Sequence, residues 1–168
     1  MESSRPVGNG GPGPAALPAP EQLLAAIAGH LEGNSPLIRW ARELGDLHAA
    51  LLPGCADSPL RAAEFDAAGV LREIAHTVEQ INSWTVFVLP RPTGARRHTH
   101  SLGEVISHVA ATYAAAWWTV RHADDEQQRH DAWFHLGEVC EGYADLLADI
   151  HARRVELPLG WRWIRHTP

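Results

Sequence analysis

The sequence contains no lysine, two cysteines and one methionine. All fourteen basic residues are therefore arginines, whose guanidinium groups stay protonated at any relevant pH. Cys55 and Cys140 lie far apart and in no metal-ligand spacing, which excludes a zinc site made of paired C-x-x-C motifs. We interpret them as two half-buried free thiols, with a disulfide between them as the alternative.

Long apolar runs are missing as well. No stretch approaches about eighteen consecutive apolar residues, so we expect no membrane-spanning helix and no membrane partner. Residues 1–20 hold five prolines and four glycines without an apolar run, which is unlike a signal peptide and predicts a disordered tail. The cytoplasm is the expected location.

The sequence also lacks the common catalytic signatures, among them a phosphate-binding glycine loop, a G-x-S-x-G turn and an H-E-x-x-H pair. We therefore expect no cofactor. The net charge is −6, and positive charge is concentrated in two short segments, residues 90–100 and residues 151–168. General nucleic-acid binding needs a broad positive face, so this distribution argues against it.

What the sequence does contain is helical periodicity in an ordinary globular composition, with 45% apolar and 20% charged residues over 168 positions. We predict one all-α domain, an antiparallel bundle of four main helices plus a short N-terminal helix. The domain is expected to span residues 21–156, between the tail at 1–20 and a basic aromatic tail at 157–168.

Helix boundaries follow from proline, serine and acidic residues placed at the ends of the apolar stripes. Ser101 with Glu104 three residues later matches a capping box, which satisfies two free backbone donors at one helix start. The stripes place Leu71, Tyr113 and Trp133 in the core. The predicted helices run from Pro20 to Gly33, from Pro36 (capped by Ser35) to Pro53, from Pro59 to Leu89, from Ser101 to His122, and from Glu126 to Arg154.

The candidate ligand-binding residues lie before and within the start of the fourth predicted helix. Basic and imidazole groups ahead of a helix N-terminus can hold an anion, because free backbone donors and the helix dipole add to their charge. The alternative is an ordinary loop that ends in a capping box. These candidates are Arg96, Arg97, His98, His100, Glu104 and His108.

A metal site is a weaker interpretation. Glu73 and His76 form the Glu-x-x-His pair that di-iron bundles use, but such proteins need it twice, together with further glutamates. On a helical wheel both side chains point away from the apolar stripe, so we expect them to face water and assign no metal ligands.

The candidate interface residues are aromatic side chains outside the predicted core. Trp118 stands on a face of small residues, which either the N-terminal helices or a second copy of the chain could cover. Phe134 lies on the polar face of the last predicted helix. Trp161 and Trp163 belong to the basic tail, and aromatic and arginine residues together are enriched in protein interfaces.

Three motifs resemble a family of actinobacterial helical proteins that carry a domain of unknown function. They are Val78-Glu-Gln-Ile-Asn-Ser-Trp84, then His98-Thr-His-Ser-Leu-Gly-Glu-Val-Ile106, and Leu136-Gly-Glu with Tyr143-Ala-Asp-Leu-Leu147 and Arg153-Arg154. The resemblance covers about residues 73–154 and implies a bacterial helical protein without a stated activity. His100 departs from the family pattern, which has glutamate at that place.

Two functional hypotheses follow from these features. The first is a non-catalytic interaction or regulatory module, either a homodimer or bound to another protein. The second is an enzyme that acts on a small molecule or depends on a metal, built on the histidines and Glu104 at the start of the fourth helix. The missing catalytic motifs favour the first.

Overall fold

The computed structural model describes residues 17–53 and 65–158, and it confirms the all-α prediction. Five helices pack against one another, the first of them short. Two two-residue strands accompany them. The elements are α1 (Pro20–Ile27), α2 (Pro36–Ala50), α3 (Ala67–Val88), β1 (Arg96–Arg97), α4 (Leu102–His122), α5 (Glu126–His151) and β2 (Val155–Glu156).

Helix α4 is the centre of the bundle, because it packs against all four other helices. Its contact with α3 is close at Gly103, where a Cβ atom would lie 2.5 Å from the carbonyl oxygen of Val78. The backbone N–H of Gly103 donates to the side-chain oxygen of Asn82 at 3.0 Å. A buried amide therefore joins the two helices where their backbones approach, and a larger residue at 103 would push them apart.

The predicted capping box at the start of α4 is confirmed. The hydroxyl of Ser101 accepts from the N–H of Glu104, and the Glu104 carboxylate accepts from the N–H of Ser101 at 2.7 Å. Asp66 and Asp125 cap α3 and α5 in a similar way through their carboxylates. Ser35 stands at the predicted N-cap of α2, but its side chain makes no capping bond.

Two predicted helix ends are wrong. Helix α1 ends at Ile27, and Gly29 turns the chain with φ 76° instead of continuing to Gly33. Helix α3 begins at Ala67, with Asp66 as its cap; the start predicted at Pro59 lies outside the described residues. Helix α5 ends at His151, because Arg153 adopts a left-handed backbone (φ 55°) and the chain then enters β2.

The packed region begins earlier than predicted. Leu17 and Pro18, which the composition had placed in the tail, are buried, and the hydroxyl of Tyr143 donates to the carbonyl oxygen of Pro18 at 2.9 Å. This bond anchors the chain before α1 to the buried face of α5. Residues 1–16 and 159–168 lie outside the described residues, so the predictions for both tails, including Trp161 and Trp163, are not addressed by the structure.

The strands β1 and β2 form a parallel pair that the sequence analysis did not predict. Arg96 is opposite Val155 and Arg97 is opposite Glu156, and the N–H of His98 donates to the carbonyl oxygen of Glu156 at 2.9 Å. The pair fastens the loop before α4 to the chain after α5. Within the described ranges, no helix is both long enough and apolar enough to cross a membrane.

Candidate functional site

The predicted ligand-binding residues are held by several different partners. The guanidinium of Arg96 lies 3.4 Å from the Asp149 carboxylate, and that of Arg97 lies 3.8 Å from Glu156. Both arginine side chains are exposed, so each pair contributes little to stability. Their acidic partners lie on α5 and β2, which the sequence spacing did not reveal.

The remaining loop residues mostly bond to each other. The His98 ring lies 2.7 Å from the carbonyl oxygen of His100, and the His100 ring lies 2.9 Å from the Thr99 hydroxyl. The Glu104 carboxylate binds both the N–H and the hydroxyl of Ser101. These contacts match the alternative interpretation, an ordinary loop that ends in a capping box.

His108 belongs to a different part of the fold, the contact between α4 and α2. There the His48 ring lies 2.9 Å from the Ser107 hydroxyl. Burial lowers the pKa of His48, and repulsion from His108 lowers it further. The six predicted residues therefore do not converge on one site. No group of three or more potential metal ligands exists among residues 17–53 and 65–158.

Glu73 and His76 are both exposed on α3, as the helical wheel predicted. Cys140 is a half-buried free thiol, and burial raises its pKa, with the Glu21 carboxylate adding to the effect. Cys55 lies outside the described residues. We assign no binding role to Glu73, His76 or Cys140.

A groove lies between the end of α1, helix α2 and the second half of α4, with a volume of about 360 Å³. We call it the aromatic groove. Two small residues line the groove. Gly45 lies close to the backbone of Ile27, where a Cβ at position 45 would be 2.5 Å from the carbonyl oxygen. Ala114 is buried on α4. The groove's other principal lining residues are Asp46, Tyr113, Trp117, Trp118, Arg121 and His122.

Trp118 is engaged within the chain. Its indole N–H donates to the carbonyl oxygen of Pro53 at 2.7 Å, and its ring stacks on His122 with centroids 4.8 Å apart. Helix α2 packs along α4 and Ala114 is buried, whereas Ala115 on the same small-residue face is exposed. An N-terminal helix therefore covers part of that face, and coverage of the rest by a second copy of the chain stays a prediction.

A second aromatic feature lies next to the groove. The rings of Tyr113 and Trp117 stack at 6.4 Å with an angle of 6°, and Trp117 meets Trp133 edge-on at 6.4 Å and 78°. Trp117 is 46% exposed, Trp133 is 42% exposed and the neighbouring Phe134 is 62% exposed. We call these last three residues the aromatic surface.

The aromatic surface is exposed because the hairpin of α4 and α5 reaches beyond the core. No residue from 117 to 135 is buried, whereas burial resumes at Leu136. Trp133 follows the apolar stripe of α5, as predicted, but it is 42% exposed, and none of the described helices buries the stripe at this level. Its predicted place in the core is therefore wrong, while Phe134 is exposed as the polar face of the helix implied.

Trp117 was missed by the sequence analysis, although the sequence carries a signal for it. Trp117 and Trp133 each stand eight positions from Asp125, which lies in the short turn between the two helices. In an antiparallel helix pair, residues equidistant from the turn come to the same level. The turn position therefore predicts that the two tryptophans lie at the same level of the hairpin, where their rings meet.

No protein-family model, no curated protein and no solved structure matches the chain, so the resemblance to an actinobacterial family stays a prediction.

Proposed function

We propose that the protein is a non-catalytic, cytoplasmic interaction module that binds a protein partner through the aromatic surface. The observation that carries the proposal is the exposed edge-on pair of Trp117 and Trp133, together with the exposed Phe134 that follows Trp133 on α5. Single exposed apolar residues are common on protein surfaces, whereas clusters of them mark interaction sites.

Covering the exposed part of these rings would contribute favourable free energy to binding, against which the entropy cost of association counts. Covering a further ~100 Å² of each of two tryptophans and a phenylalanine contributes roughly 2.5 kcal/mol per side chain, at about 25 cal/mol per Å². Trp117 and Trp133 already support each other edge-on, so a partner meets ordered rings. Tryptophans held in this way are frequent centres of binding energy in interfaces.

The enzyme hypothesis has less support. His98 and His100 bond within their loop, Glu104 caps α4, and His108 lies at the contact with α2. A catalytic base and its substrate must share one site, and these groups do not. The contrast with the clustered aromatics favours binding over catalysis.

Site-specific photo-crosslinking tests the proposal. A photoreactive phenylalanine analogue replaces Phe134 in one variant and Phe87 in a second, and cells that express each variant are irradiated. Phe87 is a matched control, because it is 88% exposed but lies on α3, away from the aromatic surface. We expect a discrete crosslinked protein from position 134 that disappears when Trp133→Ala is added.

Equal crosslinking from both positions, or none from position 134, would contradict the proposal. Mass spectrometry of the crosslinked product then separates a second copy of this chain from a different protein. Light scattering of the purified chain at several concentrations gives an independent measure of self-association.

A further inference from the structure

The aromatic groove has an arrangement that the interaction module does not explain. Its walls carry three aromatic rings from α4 and one carboxylate, Asp46, from α2. From this arrangement we propose that the groove binds a small planar aromatic amine, with its ring against the tryptophans and its ammonium group near Asp46. The ligand site is distinct from the aromatic surface, although Trp117 contributes to both.

The volume sets the size of the ligand. A groove of about 360 Å³ falls within the range of small-molecule sites, which begins at roughly 300 Å³. At an interior packing density of about 0.74, it accommodates roughly 270 Å³ of molecular volume. This volume suits a bicyclic or tricyclic compound. A peptide is less suitable, because the groove would hold only one of its side chains.

The walls suit a flat molecule. The rings of Tyr113 and Trp117 are nearly parallel, at 6°, and Trp118 stacks on His122 at 20°. The indole N–H of Trp118 is bonded to the chain, which holds that ring in place. The small residues Gly45 and Ala114 line the groove and add no bulky side chain to it. Rings ordered before binding cost little conformational entropy when a planar ligand stacks on them.

The electrostatics of the groove favour a ligand with an amine over one with a carboxylic acid. The faces of tyrosine and tryptophan rings are electron-rich and attract cations. Asp46 adds a full negative charge, and no described residue pairs with its side chain. Arg121 also lines the groove and attracts anions, but the ring faces oppose an anion bound against them. Rings and carboxylate therefore act together for a cation, while the guanidinium acts alone for an anion.

Three compounds with one ring system separate ring binding from charge: tryptamine, indole and indole-3-acetate. Their binding to the full chain is measured by isothermal titration calorimetry and by line broadening of ligand NMR signals. We expect saturable one-to-one binding of tryptamine, roughly threefold to tenfold tighter than indole, with indole-3-acetate weakest.

The Asp46→Asn variant should reduce tryptamine affinity to that of indole. Glu43→Gln is the matched control, because Glu43 is also exposed on α2 but does not line the groove, and it should leave the affinity unchanged. The variant Phe134→Ala should likewise keep tryptamine binding, since Phe134 does not line the groove.

Absence of saturable tryptamine binding would overturn this inference, as would tighter binding of indole-3-acetate or an unchanged affinity in Asp46→Asn. Each of these results leaves the crosslinking from position 134 unaffected. Conversely, loss of that crosslinking does not alter tryptamine binding. The two proposals therefore fail separately.

Discussion

Two tryptophan pairs of similar ring geometry lie in different surroundings. Trp40 and Trp84 meet edge-on with centroids 6.4 Å apart and an angle of 74°, while Trp117 and Trp133 meet at 6.4 Å and 78°. Trp40 is only 9% exposed and belongs to the core, whereas Trp117 and Trp133 are each more than 40% exposed. We call them the inner pair and the outer pair.

The comparison separates the contribution of ring contact from that of burial. Both pairs have the favourable edge-to-face arrangement, which contributes about 0.5–1.5 kcal/mol beyond the area covered. The inner pair gains more from the removal of its surface from water, because it is more deeply buried than the outer pair. The inner pair therefore serves the stability of the fold, and the outer pair retains apolar surface that a partner can cover.

The largest loss of stability is expected when a side chain of the inner pair is truncated. Trp40→Ala should lower the free energy of unfolding by about 3–5 kcal/mol, because it removes a buried ring and leaves a cavity among α2, α3 and the core. Urea denaturation followed by circular dichroism measures the change. A loss below about 1 kcal/mol would mean that the inner pair is no more structural than the outer one.

A smaller change in the free energy of unfolding is expected from protonation of His48, at the contact between α2 and α4. Burial and the charge of His108 lower the pKa of His48 in the folded protein. In the unfolded chain His48 binds its proton at about pH 6.5. As the pH falls through that value, the unfolded state gains more protons than the folded state, so stability is present above it and declines below it.

We therefore expect the free energy of unfolding to fall between about pH 7 and pH 5, and we expect part of this fall to vanish in His48→Gln. Urea midpoints at a series of pH values measure both slopes. His76→Gln is the control, since His76 is exposed on α3 and its replacement should leave the slope unchanged. Identical slopes in all three proteins would exclude His48 as the cause.

Much of the fold could be predicted because its signals are local. The capping box of Ser101 and Glu104 lies within four residues and was found, and the apolar stripes identified five helices. The cap that Asp66 provides for α3 was not predicted, and the start predicted at Pro59 lies outside the described residues. Leu71 lies on the predicted apolar stripe of α3 but is 56% exposed. An apolar stripe does not show whether a neighbouring helix extends far enough to cover each of its residues.

The features that could not be predicted depend on tertiary contacts. The strand pair joins Arg96 to Val155 across nearly sixty residues, and two residues are too few for a periodic pattern. The same pairing brings Arg97 to Glu156, which changed the interpretation of the predicted anion site. Likewise, the periodicity of α5 placed Trp133 on the correct face but could not show that this face is uncovered there.

The smallest expected effect on stability is the sharpest test of the comparison. Trp133→Ala should lower the free energy of unfolding by no more than about 1 kcal/mol, because a ring that is 42% exposed leaves little cavity and alanine favours the helix. The same change should abolish crosslinking from position 134, since it removes the centre of the aromatic surface. Denaturation and crosslinking of one purified variant give both values. A loss of stability close to that of Trp40→Ala would make the outer pair part of the core and remove the basis for a binding surface.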